Sequence, residues 1–121
     1  IKPDFAEAYH NRGIIKDADG DIEGALKDFN KAIDLKIKDY KPFVNRGVSY
    51  GKSGKFDRAI KDFDLALQLK PDNADALSNR GLAKSNLGLL DEAINDYNKS
   101  ISIKPDFADA YFNRAIAKTK L

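Results

Sequence analysis

The stretch YHNRG at residues 9–13 contains the triplet Asn-Arg-Gly, which decides the fold because it returns along the chain at a constant spacing. Further copies occupy residues 45–47 and 79–81, and a near copy, Asn-Arg-Ala, occupies residues 113–115. Each copy follows the one before it by 34 residues. Four of the five arginines of the chain therefore stand at one phase of an internal repeat.

The same phase also aligns apolar and turn-forming residues. The recurring positions are Tyr9, Phe43, Leu77 and Tyr111; Ala25, Ala59 and Ala93; Phe29, Phe63 and Tyr97; and the turn glycines Gly20, Gly54 and Gly88. Within each unit the apolar residues mostly advance by three or four positions, which indicates helices. Each unit is therefore predicted to be two helices joined by a glycine turn. The seven predicted helices span residues 6–18, 22–35, 40–53, 56–69, 74–87, 90–103 and 108–120.

These features resemble the tetratricopeptide repeat family, which has a 34-residue helix–turn–helix unit and a closing proline. The resemblance covers the whole chain and implies an all-α, right-handed solenoid of antiparallel helix pairs. The chain is then a single domain, 1–121, and a piece of a longer array. Its expected parts are the tail of a preceding repeat at 1–5, repeats at 6–39, 40–73 and 74–107, and the first helix of a fourth repeat at 108–121.

Local signals mark the boundaries between units. Asp4, Asp72 and Asp106 follow prolines and precede an acidic residue three places on, so they are predicted to cap the next helix. Ile37 replaces the first closing proline and Pro42 falls early in the next helix, which predicts a bend at that junction. Arginine also stands in a column where the family usually has leucine.

The arginine column is predicted to be structural. Tyr9, Arg12 and Gly13 share the stripe of the first helix that faces the packed side, so the guanidinium needs an anion nearby. One acidic column recurs on the second helices, just before the aromatic residue. The sequence predicts Arg–Asp pairs that fix helix register and leaves open whether each partner lies in the same repeat or the next. The residues are Arg12, Arg46, Arg80 and Arg114, with Asp28, Asp62 and Asp96.

The asparagine column lies on another face of the first helix, which in the tetratricopeptide repeat fold lines the inner groove. An amide both donates and accepts hydrogen bonds, so a row of amides suits the backbone of an extended peptide. The row resembles the asparagine ladder in the superhelical domain of O-linked N-acetylglucosamine transferases. Alternatively, these asparagines bond only to neighbouring helices. The candidate groove residues are Asn11, Asn45, Asn79 and Asn113, the apolar column Ile14, Val48, Leu82 and Ile116, and the flanking His10, Val44 and Phe112.

Family members that bind chaperone tails use a carboxylate clamp of lysines, asparagines and an arginine. The matching columns hold His10, Ile14, Asn45, Asp75 and Asn79 or, one repeat later, Val44, Val48, Asn79, Asp109 and Asn113. In either alignment only one position, an asparagine, matches the clamp, and an aspartate stands where a clamp lysine belongs. The acidic tail of a heat-shock chaperone is therefore not the expected partner.

Composition narrows the function classes. The net charge of +2 arises from 21 basic and 19 acidic residues, which gives no electrostatic signature of nucleic-acid or membrane binding. Cysteine is absent. The phosphate-loop-like GVSYGKS at 47–53 is one residue short between its glycines. DADGD at 17–21 resembles the start of a calcium loop, but Ile22 stands where the sharp-turn glycine of such a loop belongs. The sequence therefore predicts no cofactor, no metal and no enzymatic activity.

The function that the residues favour is a scaffold whose groove binds an extended segment of a partner protein of unknown identity. The alternative is a structural solenoid segment whose ends stack between molecules. A cytoplasmic location is expected.

Overall fold

The computed structural model describes residues 3–121, with side chains from Phe5 onward. These residues form seven α-helices and no strand, which confirms the predicted all-α architecture. The helices are α1 (Pro3–Ala18), α2 (Ile22–Asp34), α3 (Lys41–Lys52), α4 (Phe56–Leu69), α5 (Ala74–Asn86), α6 (Leu90–Ile103) and α7 (Ala108–Lys120). α1 begins at Pro3, three residues before the predicted start at residue 6. Of the predicted tail of a preceding repeat, residues 1–2 lie outside the described residues.

The turn glycines allow each second helix to fold back on the first. Gly20, Gly54 and Gly88 have φ of 89°, 77° and 82°, a conformation that costs glycine little and other residues more. The helix caps differ from the prediction. Asn73, not Asp72, caps α5, and its side chain accepts a hydrogen bond from the Ala76 N–H at 3.2 Å.

The predicted cap Asp106 is also displaced, because the position before α7 is Phe107, which makes no side-chain capping bond. Asp4 lies within α1. The pattern of a proline followed by an acid thus places two of the predicted caps one residue too early.

The junction between α2 and α3 departs from the others because of Ile37. Lys36 takes a positive φ of 65°, and the Ile37 N–H donates back to the Ala32 carbonyl at 3.4 Å. This is the arrangement that closes many helix C-termini. A proline at position 37 has no N–H and would lose the bond. The change of direction therefore occurs at Lys36, while Pro42 sits in the first turn of α3, where proline is tolerated.

The packing of successive units curves the molecule. Cα atoms of α1 and α3, of α3 and α5, and of α5 and α7 approach within 8 Å. Among the described residues, the second helices α2, α4 and α6 do not approach one another in this way. The first helices therefore line the inner surface, which we call the groove, and the second helices lie outside.

Glycines of the Asn-Arg-Gly triplets permit the close approach of the two helices in each unit. A Cβ added at Gly47 would lie 2.6 Å from Phe63 Cε1, and one added at Gly81 would lie 2.8 Å from Tyr97 Cε1. Both aromatic side chains are fully buried. The repeated core is thus an aromatic ring packed on a bare stretch of helix backbone.

Within residues 3–121, no helix combines the length and the apolar character that a membrane crossing requires.

Candidate functional site

The arginine column forms two-point pairs with the aspartate column of the same repeat. Arg46 Nε donates to Asp62 Oδ2 at 2.8 Å, and its Nη2 donates to Asp62 Oδ1 at 2.6 Å. This geometry answers the question that the sequence leaves open, because each pair joins the two helices of one unit. The other two pairs, with both distances between 2.8 and 2.9 Å, are Arg12–Asp28 and Arg80–Asp96.

The remaining guanidinium nitrogen joins neighbouring repeats. Arg80 Nη1 donates to Asp64 Oδ1 at 2.8 Å, so one arginine on α5 contacts both α4 and α6. Arg46 Nη1 donates to Asn30 in the same way, at 2.9 Å. The sequence analysis did not identify these partners. A signal was available, since the residue after each core aromatic is Asn or Asp in every unit.

Arg114 departs from the predicted Arg–Asp pairs. No carboxylate of residues 3–121 pairs with it, because the aspartate column within this range ends at Asp96. Its Nη1 donates to Asn98 Oδ1 at 2.8 Å, and its guanidinium lies 5.3 Å from the Tyr111 ring centroid. Arg114 therefore keeps the hydrogen bond to the preceding repeat and lacks the paired carboxylate within its own repeat.

A lysine one turn along reinforces two of the pairs. Lys16 Nζ lies 3.3 Å from Asp28, as Lys84 Nζ does from Asp96. The hydrogen bond from Arg12 lowers the pKa of Asp28 below its usual value, and burial of the carboxyl opposes this effect. Two cations, Arg12 and Lys16, therefore hold the buried carboxylate of Asp28 in its charged form.

The asparagine column lies along the groove, and its four members differ in their surroundings. Asn11 is exposed, and the other three are half-buried. Asn45 Nδ2 contacts His10 Nε2 at 2.8 Å, so this amide is already engaged by the preceding repeat. Among the described residues, the side chains of Asn11, Asn79 and Asn113 have no hydrogen-bond partner. Asn79 and Asn113 are neighbours in the column.

His10 is not a surface residue of the groove. Only 7% of it is exposed, and its ring packs on Phe29 with centroids 5.8 Å apart. Burial lowers the pKa of His10 below its usual 6.5, and the nearby carboxylate of Asp39 opposes the shift. The neutral ring accepts the Asn45 amide proton at Nε2. The predicted flanking position is thus occupied by a buried support for Asn45.

The apolar column runs beside the asparagines. Ile14 and Leu82 are exposed, and Val48 and Ile116 are half-buried. Of the flanking residues, Val44 is half-buried and Phe112 is 67% exposed. Together they give the groove an apolar strip next to the free amides.

Asp17 is a groove residue that the sequence analysis missed. Its carboxylate accepts hydrogen bonds from the Ser49 hydroxyl and the Lys52 ammonium, which links α1 to α3. A small cavity of about 60 Å³ lies between Asp17, Ile14, Asn45 and Val48. No 34-residue signal marks this contact, because Asp17 aligns with Gly51 and Ser85.

The described residues contain no group of His, Cys, Asp or Glu side chains arranged to hold a metal ion. The clamp columns carry exposed carboxylates, since Asp75 and Asp109 both face solvent.

Three family models match the chain in separate stretches. Two are described as "Tetratricopeptide repeat" and match residues 6–36 and 40–73. The third is described as "TPR repeat" and matches residues 86–121. None of the curated proteins is significantly similar to the chain in sequence.

Solved structures similar to the chain are repeat domains of the same kind. The first TPR of Spaghetti (RPAP3), bound to the HSP90 peptide SRMEEVD, is 25% identical, with 97% of this chain and 93% of that chain covered and a TM-score of 0.93. The second TPR domain of human RPAP3, in complex with the HSP70 peptide SGPTIEEVD, is 25% identical, with 98% of both chains covered and a TM-score of 0.92. The Arabidopsis OM64 TPR domain, at 19% identity, covers both chains fully with a TM-score of 0.96 and supports the fold alone.

Proposed function

Since the chain belongs to the tetratricopeptide repeat family, whose fold is that of a protein–protein interaction module, we propose that its groove binds an extended segment of a partner protein. The observation that carries the proposal is the pair of free amides, Asn79 and Asn113, beside the apolar strip of the groove. Repeats of this family are generally non-enzymatic scaffolds, and the side chains of the groove suit binding rather than catalysis.

The proposed contact pairs asparagine amides with peptide groups of the ligand. Packed helices stand ~9–10 Å apart, and an extended peptide advances ~3.3 Å per residue. Successive asparagines therefore meet the ligand backbone about every third residue. Leu82 and Ile116 lie one helical turn further on, where they would contact apolar side chains of the ligand.

Asn45 has a different role in this proposal. Its Nδ2 is engaged by His10, which fixes the orientation of the amide and leaves Oδ1 to accept a ligand N–H. Asn79 and Asn113 provide both a donor and an acceptor. The Asn79–Asn113 half of the groove is therefore expected to contribute most of the affinity.

The partner in this proposal is not an acidic chaperone tail. Two of the similar structures hold HSP90 or HSP70 peptides, so likeness of fold does not exclude such a ligand. The exposed carboxylates of Asp75 and Asp109 would instead repel its carboxylates. Titration with SRMEEVD tests this point, because binding that weakens on Asn79→Ala substitution would overturn it.

Panning a random-peptide display library tests the groove. The three baits are the parent chain, the double variant Asn79→Ala/Asn113→Ala, and Asn95→Ala as a control. Asn95 is an exposed asparagine on the outer helix α6. Peptides enriched by the parent and the control but not by the double variant support the proposal. Equal enrichment by all three baits contradicts it.

The alternative function is self-assembly. Ile15 on α1 and Phe112 on α7 are more than half exposed, as an end-to-end contact would require. A library that yields no peptide, together with a molecular mass that rises with protein concentration in light scattering, would favour this alternative over the groove.

A further inference from the structure

A crevice lies on the outer surface, away from the groove. It has a volume of about 630 Å³ and lies between the C-terminal ends of α2 and α4. Its apolar lining comes from Ile33 and Ile37 at the end of α2 and beyond it, from Leu65 and Leu69 of α4, and from Phe43 of α3. Because α2 and α4 do not pack directly on each other, the crevice remains open between them. We call it the outer crevice.

The next unit has the same crevice in a smaller form. Between α4 and α6 the volume is about 380 Å³, and six of the seven lining residues, all except Arg80, follow residues of the outer crevice by 34 positions. Lys99 replaces Leu65, and Pro71 replaces Ile37. The outer crevice is thus the enlarged and more apolar copy of a repeated feature.

The rim of the outer crevice is cationic. Lys36 and Lys38 line it, and neither forms an ion pair among the described residues. The one carboxylate of the lining, Asp39, accepts the backbone N–H of Lys41 at 3.0 Å at the start of α3. Two unpaired ammonium groups therefore stand beside an apolar cavity.

The backbone holds one of these cations in an uncommon conformation. Lys36 is the only non-glycine residue among those described with a positive φ. A glycine there would be less strained, as it is at the turn positions of each unit. Lysine therefore stands at a position after α2 where glycine is the usual residue, and a strained residue of this kind is a reason to look for function.

We propose that the outer crevice is a second docking site, which takes one bulky apolar side chain from an acidic segment of a partner protein. The apolar walls would bury the side chain. Lys36 and Lys38 would pair with carboxylates on either side of it. Complementary charge of this type favours acidic partners over basic ones. The site is separate from the groove, since none of its lining residues is a groove residue.

Two peptides and methyl NMR test the proposal. The probes are acetyl-Asp-Glu-Phe-Glu-Asp-amide and its charge-reversed counterpart, acetyl-Lys-Arg-Phe-Arg-Lys-amide. The acidic peptide is expected to shift the methyl signals of Ile33, Ile37, Leu65 and Leu69, and the basic peptide is not.

Variants provide the controls. Leu69 is 58% exposed, so Leu69→Asp should leave the fold intact while it blocks the crevice. Ile103→Asp makes the matched change in the smaller crevice and should leave binding unchanged. Lys36→Gly relieves the backbone strain and removes one cation, so it should weaken binding by about twofold to fivefold.

Three results would overturn the proposal. They are equal shifts with the basic peptide, shifts confined to the groove residues Ile14, Val48 and Leu82, and the absence of shifts with either peptide.

Discussion

Arg80 and the buried Asp96 form a two-point pair, with Nε 2.9 Å from Oδ2 and Nη2 2.8 Å from Oδ1. The same guanidinium reaches Asp64 on the preceding second helix. An arginine in a packed stripe is costly unless its charge is matched. Here it is matched by one carboxylate in its own repeat and one in the preceding repeat. The arginine column thus fixes both the register within a unit and the spacing between units.

The two aspartates that pair with Arg80 should contribute unequally to the free energy of unfolding. Asp96 is 1% exposed and Asp64 is 47% exposed. Asp96→Ala should lower the free energy of unfolding by about 3–5 kcal/mol, because it leaves the half-buried guanidinium of Arg80 without its main partner. Asp64→Ala should cost less than about 1 kcal/mol, because solvent screens that pair. Urea denaturation of both variants measures the difference, and equal costs would refute the assigned roles.

The glycines of α3 and α5 predict opposite effects of one added methyl group. Gly81→Ala should destabilise the protein by about 1–3 kcal/mol, since the new Cβ would lie 2.8 Å from the Tyr97 ring. Gly51 lies in α3 with no neighbouring atom within 4 Å of an added Cβ. Gly51→Ala should stabilise by about 0.5–1 kcal/mol through helix propensity. Melting temperatures that move in the same direction would contradict the packing described above.

The hydroxyl of Tyr97 predicts a neutral or stabilising substitution. It is buried without a hydrogen-bond partner, and burial raises the pKa of Tyr97 to about 12. The equivalent residues in the other units are Phe29 and Phe63. Tyr97→Phe should therefore raise the free energy of unfolding by up to about 1 kcal/mol, because an unsatisfied buried group is removed. A decrease in the free energy of unfolding, measured by urea denaturation, would contradict this prediction and show that the hydroxyl has a partner.

His10 predicts a loss of stability in mild acid. Burial lowers its pKa in the folded state, so the unfolded chain binds the proton more readily below the usual 6.5. The contribution of His10 to stability is therefore complete above pH 6.5 and declines as the pH falls through the lowered folded pKa.

NMR titration of this single histidine and urea denaturation at pH 7.5 and 5.5 measure the effect. A His10→Gln variant should lose less stability between the two pH values than the parent does. A histidine that titrates at or above 6.5 in the folded protein would contradict the buried position.

The repeat period made most of this architecture predictable from sequence. Residues that recur in every unit, such as Arg46 with Asp62, were identified because three copies reveal a column. Features that occur once were not predictable in this way. His10 appears in one unit only, so its burial beneath Asn45 depends on the contact between two particular helices.

The sequence alone did not determine how the helices begin and end. Asp72 and Asn73 are both good caps, and propensity alone does not choose between them. The entry of α5 places the Asn73 side chain over the free N–H groups. Similarly, the bond from the Ile37 N–H that closes α2 depends on the conformation of Lys36. The sequence showed only that a proline was missing.

The central claim is that groove asparagines bind the backbone of an extended peptide. The most direct test is a backbone N-methylation scan of one peptide selected by the groove, with affinity measured by fluorescence anisotropy. Each N-methyl group removes one N–H donor and leaves the side chains in place. Affinity should fall at positions about three residues apart, and these losses should vanish in the Asn79→Ala/Asn113→Ala variant. If affinity does not change on N-methylation and changes only when ligand side chains are replaced, the claim is contradicted.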